Sequence, residues 1–187
     1  SIPLFKEYSN RQNSLFGTYN VRSRFPEIFL VIILVLFIGF RPADKAFYDT
    51  MFYYDVIANR SLQFYGIDYE VENLIFDNVL FYFSYKHWSY TVFFLLIASI
   101  YFVCSYIATR KLFPKDTLFA YLVFLAAFST FSYSVNGIKA GAASSIFLLG
   151  LAYREKLLIS IPLVLLSWGI HHLSLIHISE PTRRVVI

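Results

Sequence analysis

Five apolar runs punctuate the chain: Phe25 to Phe40, Tyr90 to Ala108, Leu118 to Tyr133, Ile138 to Ala152 and Leu157 to Trp168. Each is almost free of charge, and short polar or basic segments separate the last four. The pattern predicts an all-α polytopic membrane protein with about five transmembrane helices. The first run has sixteen residues. At about 1.5 Å per residue it reaches roughly 24 Å, against ~30 Å of hydrocarbon, so it spans where the bilayer thins or its flanks join in. Pro26 suits a first helical turn, and Arg41-Pro42 stops the helix. Between the first two runs lies a long polar excursion, residues 41–88. In it Ile75, Phe76, Val79, Leu80 and Phe83 recur at helical spacing, with Asn73, Asp77, Asn78 and Ser84 between them. That is the signature of an amphipathic helix lying in the interface. Tyr48, Tyr53, Tyr54, Tyr65 and Tyr69 suit an aromatic interfacial belt and a sugar-stacking surface equally well.

Charge assigns a direction. With a cytoplasmic N-terminus, the inner segments carry nine bases: Lys6, Arg11, Arg22, Arg24, Arg110, Lys111, Lys115, Arg154 and Lys156. The outer segments carry five (Arg41, Lys45, Arg60, Lys86, Lys139), although they are longer. The positive-inside rule therefore puts the loop 41–88, which holds seven acids, on the outer side. The turn from Asn136 to Lys139 and the pair His171-His172 fall on that side too. The expected organisation is a polar tether over 1–24, a membrane domain over 25–172 and a tail over 173–187.

Composition agrees with a membrane protein: 58% hydrophobic, 20% aromatic, 15% charged, mean hydropathy +0.58. The single cysteine, Cys104, sits in an apolar run and excludes an internal disulfide or a thiolate metal cluster. The chain starts at Ser1 without a cleavable-signal pattern, as expected of a fragment whose start is missing. Leu173 to Arg183 is, residue for residue, the translation of a transposase-type sequencing adapter, and Arg184 to Ile187 fits the index that would follow. Native sequence is therefore expected to end near His172. That tail holds two of the sixteen basic residues and one of the twelve acids. Without it the net charge is +3, and the basic pI is no argument for nucleic acid.

Chemistry concentrates at three places: Arg41, Asp44 and Asp49 after the first run, Asn136 and Lys139 between the third and fourth, and His171 with His172 after the fifth. An ionisable residue beside hydrocarbon is a functional candidate, because its insertion costs a few kcal/mol. The plain alternatives are a snorkelling Lys139, a stop-signal Arg41 and interfacial histidines. Adjacent histidines do not share a helix face, and HxxxH and ExxH patterns are lacking, so no metal site is read. Gly137, Gly141 and Gly150 match no phosphate-loop spacing. A histidine base beside fixed cations suits a phosphorylated, membrane-bound donor.

In order along the chain, Phe40-Arg41-Pro42, Tyr48-Asp49-Thr50 with Tyr53, Phe131 to Lys139 and Ile170-His171-His172 resemble the motifs of the EpsG family, bacterial exopolysaccharide and capsule polymerases of the Wzy type. The resemblance covers roughly Phe25 to His172. Where family members commonly read Asn-Gly-Ile-Arg-Gln, this chain has Asn136-Gly-Ile-Lys139-Ala140, which keeps the cation and loses its fork and the amide. The resemblance implies an inner-membrane glycosyltransferase that joins repeat units carried on a polyprenyl pyrophosphate, at the outer face. Arg41 and Lys139 would meet the pyrophosphate, with Tyr53 and Asn136 also binding substrate. One of His171, Asp49 or Asp44 would take the acceptor's proton. It implies no cofactor and no metal, and as partners the lipid-linked oligosaccharide, the bilayer and polysaccharide export proteins. Two other classes remain open from the residues: a polysaccharide or lipid transporter subunit, and a membrane acyltransferase acting on sugars.

Overall fold

The computed structural model describes residues 24–59 and 73–171. The tether up to residue 23, Tyr65, Tyr69, His172 and the tail Leu173 to Ile187 lie outside the described residues. The chain divides into two units, Ser1–Leu30 and Val31–Ile187. Of the first, only the opening of a helix is described, where Phe25 stacks on Phe29. Everything below concerns the second.

Among the described residues all regular structure is helical, in eight helices: α1 (Phe25–Gly39), α2 (Tyr48–Ala58), α3 (Leu74–Tyr85), α4 (Tyr90–Leu112), α5 (Thr117–Ala126), α6 (Phe128–Val135), α7 (Ile138–Ala152) and α8 (Leu157–Ile170). Only α4, with 23 residues, is by itself long and apolar enough to cross a membrane. Three of its hydroxyls are satisfied within the helix: Ser99 donates to Leu95 O at 2.7 Å, Ser105 to Tyr101 O at 2.7 Å and Thr109 to Ser105 O at 2.8 Å. These three hydroxyl hydrogens are thereby not presented to an apolar surrounding. The helices α1, α7 and α8 are apolar but have 15, 15 and 14 residues, about 21–23 Å each.

The expected single run from Leu118 to Tyr133 is instead two helices, α5 and α6, bent by 72°. Ala127 at the break is extended (φ −67°, ψ 132°). Thr130 Oγ1 donates to Phe124 O at 2.6 Å across it. A hydroxyl beside a freed carbonyl offers the backbone an alternative to the next helical bond. The bent pair together passes as one span, so length and composition support one or two crossings.

The core runs between α4, α7 and α8, with α2 and α3 packed over one end. Small residues let α7 approach its neighbours: Ala142 and Ala143 are buried, Ser167 donates to Ala143 O and Ser160 to Gly150 O, both at 2.8 Å. This is how helices associate where burial supplies little drive, by close backbones and hydrogen bonds across the seam. At Gly141 an added Cβ would lie 2.6 Å from Tyr133 O, so α6 and α7 meet there backbone to backbone. The helix α3, expected at an interface, has Phe76, Leu80 and Phe83 buried in the core and Ile75 against Gly169 of α8. It ends in a left-handed turn: His87 (φ 59°) closes the helix through His87 N to Ser84 O and Trp88 N to Phe83 O.

Candidate functional site

The end of α1, the start of α2 and the α6–α7 turn meet around one guanidinium. Arg41 donates from Nη1 to Ile38 O at 2.9 Å and from Nη2 to Thr50 Oγ1 and Val135 O, both at 3.1 Å. Thr50 Oγ1 also donates to Val135 O. Val135 is the last residue of α6, so a cation sits where the helix dipole is negative, the favourable end. The guanidinium carbon lies 4.6 Å from the centre of the Phe94 ring. Burial pushes the Arg41 pKa down to about 10. Its Nε is buried with no hydrogen-bond partner. The residue lines a narrow pocket with Tyr101, Tyr133 and Ser134, having room for about one water.

One residue before Thr50 and one after Val135, Asp49 N donates to Asn136 Oδ1 at 3.1 Å. The motif residues Arg41, Asp49, Thr50 and Asn136, spread over almost a hundred positions, thus form one cluster. Burial raises the Asp49 pKa, and the Lys139 charge partly offsets this. Lys139 pairs with Asp77 Oδ1 at 3.1 Å and lies 5.2 Å from the Phe76 ring centre. It occupies the first turn of α7, whose N-cap, Gly137, offers no side-chain cap. A lysine and a helix N-terminus add their positive potentials there.

Two of the other expected residues sit apart in role. Tyr53 is buried, its ring 5.3 Å from Phe76 and 6.2 Å from Phe93. Its phenol is pushed well above the usual tyrosine value by burial and then by the charges of Asp49 and Asp77. It belongs to the floor beneath the cluster. Asp44 is exposed and accepts from Ala46 N at 2.8 Å, a local turn before α2. His171 follows α8, and its Nδ1 lies 3.1 Å from Asn73 Oδ1. Asp77, Asn73 and the ring of Phe76 were not singled out by the sequence. The one signal for them was their place on the amphipathic helix, where polar residues normally face water. No group of three or more His, Cys, Asp or Glu able to hold a metal occurs among the described residues.

The strongly apolar composition and the apolar helices among the described residues are those of a membrane protein, and its candidate polar site combines a buried-arginine cluster with a lysine in the first turn of α7. The family follows from the sequence match: the profile of the EpsG family matches residues 26–179, most of the chain, and the protein belongs to that family. The match continues past His172. No curated protein and no solved structure matches the chain significantly.

Proposed function

We propose that the protein is the membrane-embedded part of a polysaccharide polymerase, acting at the outer face of a bacterial inner membrane on repeat units linked to a polyprenyl pyrophosphate. In this reading the five apolar runs cross the bilayer, with α5 and α6 forming one broken crossing. The observation that carries it is the convergence, in a chain of the EpsG family, of Arg41, Asp49, Thr50 and Asn136 beside the uncapped start of α7 and Lys139.

In the transfer, the bond between the anomeric carbon of the growing glycan and its pyrophosphate oxygen breaks. A hydroxyl of the next lipid-linked unit forms the new bond to that carbon. The hydroxyl proton passes to His171, and the polyprenyl pyrophosphate departs as an anion. Lys139 and the N–H groups opening α7 meet the departing charge, where fixed donors in a water-poor site count for far more than in bulk. Arg41, with its Nη groups committed to protein acceptors, adds its charge from behind and keeps Asp49 and Asn136 in register. Asp49 orients the acceptor. Tyr53 supports them from below, and Asp44 shapes the turn into α2.

The test is an assay with lipid-linked repeat units in vesicles holding the full-length protein. A ladder of longer glycans is expected. Movement of the substrate without lengthening would favour a transporter and overturn the polymerase. Lys139→Arg should keep the ladder. Lys139→Gln, which removes the charge, should lose on the order of 2–4 kcal/mol of barrier stabilisation, roughly a hundred- to thousand-fold in rate. A snorkelling lysine predicts normal polymer from both.

A further inference from the structure

The helix α3 carries two polar side chains one turn apart, and each reaches a different candidate. Asn73 is its N-cap residue, yet its side chain does not cap the helix. An asparagine there ordinarily accepts from an N–H of its own first turn. Here Oδ1 lies 3.1 Å from His171 Nδ1, beyond the end of α8. Four residues on, hence on the same face and about 6 Å along the axis, Asp77 Oδ1 lies 3.1 Å from Lys139 Nζ in the first turn of α7. Both side chains of that ion pair are largely withdrawn from solvent, 20% and 14% exposed. The helix is anchored between them: Phe76, Leu80 and Phe83 are in the core, and Ile75 presses on Gly169 so closely that a Cβ there would lie 2.5 Å from Ile75 Cδ1.

We propose that Asn73 and Asp77 are positioning residues that set His171 and Lys139 for glycosyl transfer, an inference that rests on the polymerase reading. An amide oxygen only accepts, so Nδ1 of His171 carries the proton and the basic lone pair of the ring is on Nε2. Asp77 engages one ammonium hydrogen and the Phe76 face holds the charge from the other side. Two donors are left for phosphate oxygens. One rigid element thereby fixes the spacing between base and cation, which span different helices and have no covalent reason to keep it.

Four variants of the full-length protein test this, assayed for glycan ladders in vesicles and checked for monodispersity in detergent. Asn73→Val and Asp77→Ala should each slow turnover about a hundredfold with KM little changed, the scale of a misplaced reacting group. Asn73→Asp keeps the acceptor and should restore turnover while moving the acid limb of the rate profile to higher pH, because a carboxylate raises the pKa of the histidine it faces. Asp77→Ala placed on Lys139→Gln should cost nothing more, since the aspartate acts through the lysine. Turnover in Asn73→Val equal to wild type, an unmoved acid limb in Asn73→Asp, or a loss that multiplies on Lys139→Gln would each overturn the proposal. The imidazole nitrogen-15 spectrum separates this from the polymerase reading, as it needs no substrate. The His171 signal, assigned by its loss in His171→Gln, should show a protonated Nδ1 that vanishes in Asn73→Val. A protonated Nε2 in the wild type would refute the placement even where ladders form, and a protein with the expected spectrum but no ladder would refute only the polymerase.

Discussion

Arg41 is the place where a stability measurement distinguishes a built site from a plain span terminator. Arg41→Met removes hydrogen bonds to Ile38 O, Thr50 Oγ1 and Val135 O. Bonds to a charged group are worth about 1.5–3 kcal/mol each, but the sum overstates the loss. Val135 O keeps the Thr50 hydroxyl, and Ile38 O keeps the backbone N–H of residue 41, so neither carbonyl is orphaned. Arg41 is also only partly withdrawn from solvent, and the burial that depresses its pKa is itself a cost that methionine relieves. The net expected loss is about 2 kcal/mol, or a melting midpoint lower by roughly 4–8 °C for a chain of this size. Arg41→Lys should lose about half as much, because one ammonium cannot serve three acceptors in a planar fork. Unfolding in detergent can be followed through Cys104, the single cysteine, with a thiol-reactive fluorophore. A terminator reading makes lysine and arginine equivalent. Midpoints of both variants within about 1 °C of the parent would refute the account of Arg41 as a tie between helices.

Gly141→Ala drives a methyl to 2.6 Å from Tyr133 O; since the neighbour is backbone, it should cost about 1–3 kcal/mol, and an unchanged midpoint would show that α6 and α7 can part freely. His87→Gly should raise the midpoint by about 2–4 °C, because a side chain at φ 59° costs roughly 1 kcal/mol that glycine avoids; a lower midpoint would mean that the imidazole contributes more than the strain removes. Asp49 has a folded pKa above its ordinary value of 3.8, so the fold binds its proton more tightly than the unfolded chain does. The associated stability is present below that ordinary value and is lost as pH rises through the raised one. Asp49→Asn should therefore flatten the fall of the melting midpoint with pH over that window, and an unaltered slope would count against the buried carboxylate.

Much of the helical framework is legible in the pattern of apolar residues. The run Ile138 to Ala152 is α7 with the same ends, since Gly137 and the Tyr153 to Lys156 turn interrupt an otherwise unbroken helical segment. The break at Ala127 is not legible, because Phe124 to Phe128 holds neither proline nor glycine and the bend depends on a hydroxyl three residues later. The tie of Arg41 to Val135 and of Asp49 to Asn136 could be reached only through the order of the family's motifs; no local spacing brings residues so distant together. The amphipathic helix α3 was legible as a helix, but the roles of Asp77 and Asn73 were not, because their partners, Lys139 and His171, lie 62 and 98 positions further on.

The bond between Arg41 and Val135 joins residues 94 positions apart. At the usual pace of synthesis, about 5–20 residues per second, the guanidinium leaves the ribosome some 5–20 s before its carbonyl acceptor exists. During that interval α1, α2 and α4 can be present while the partner that neutralises their shared polar end is not. The site is therefore a late event in biogenesis, and a nascent chain stalled before α6 should be the form most open to membrane quality control.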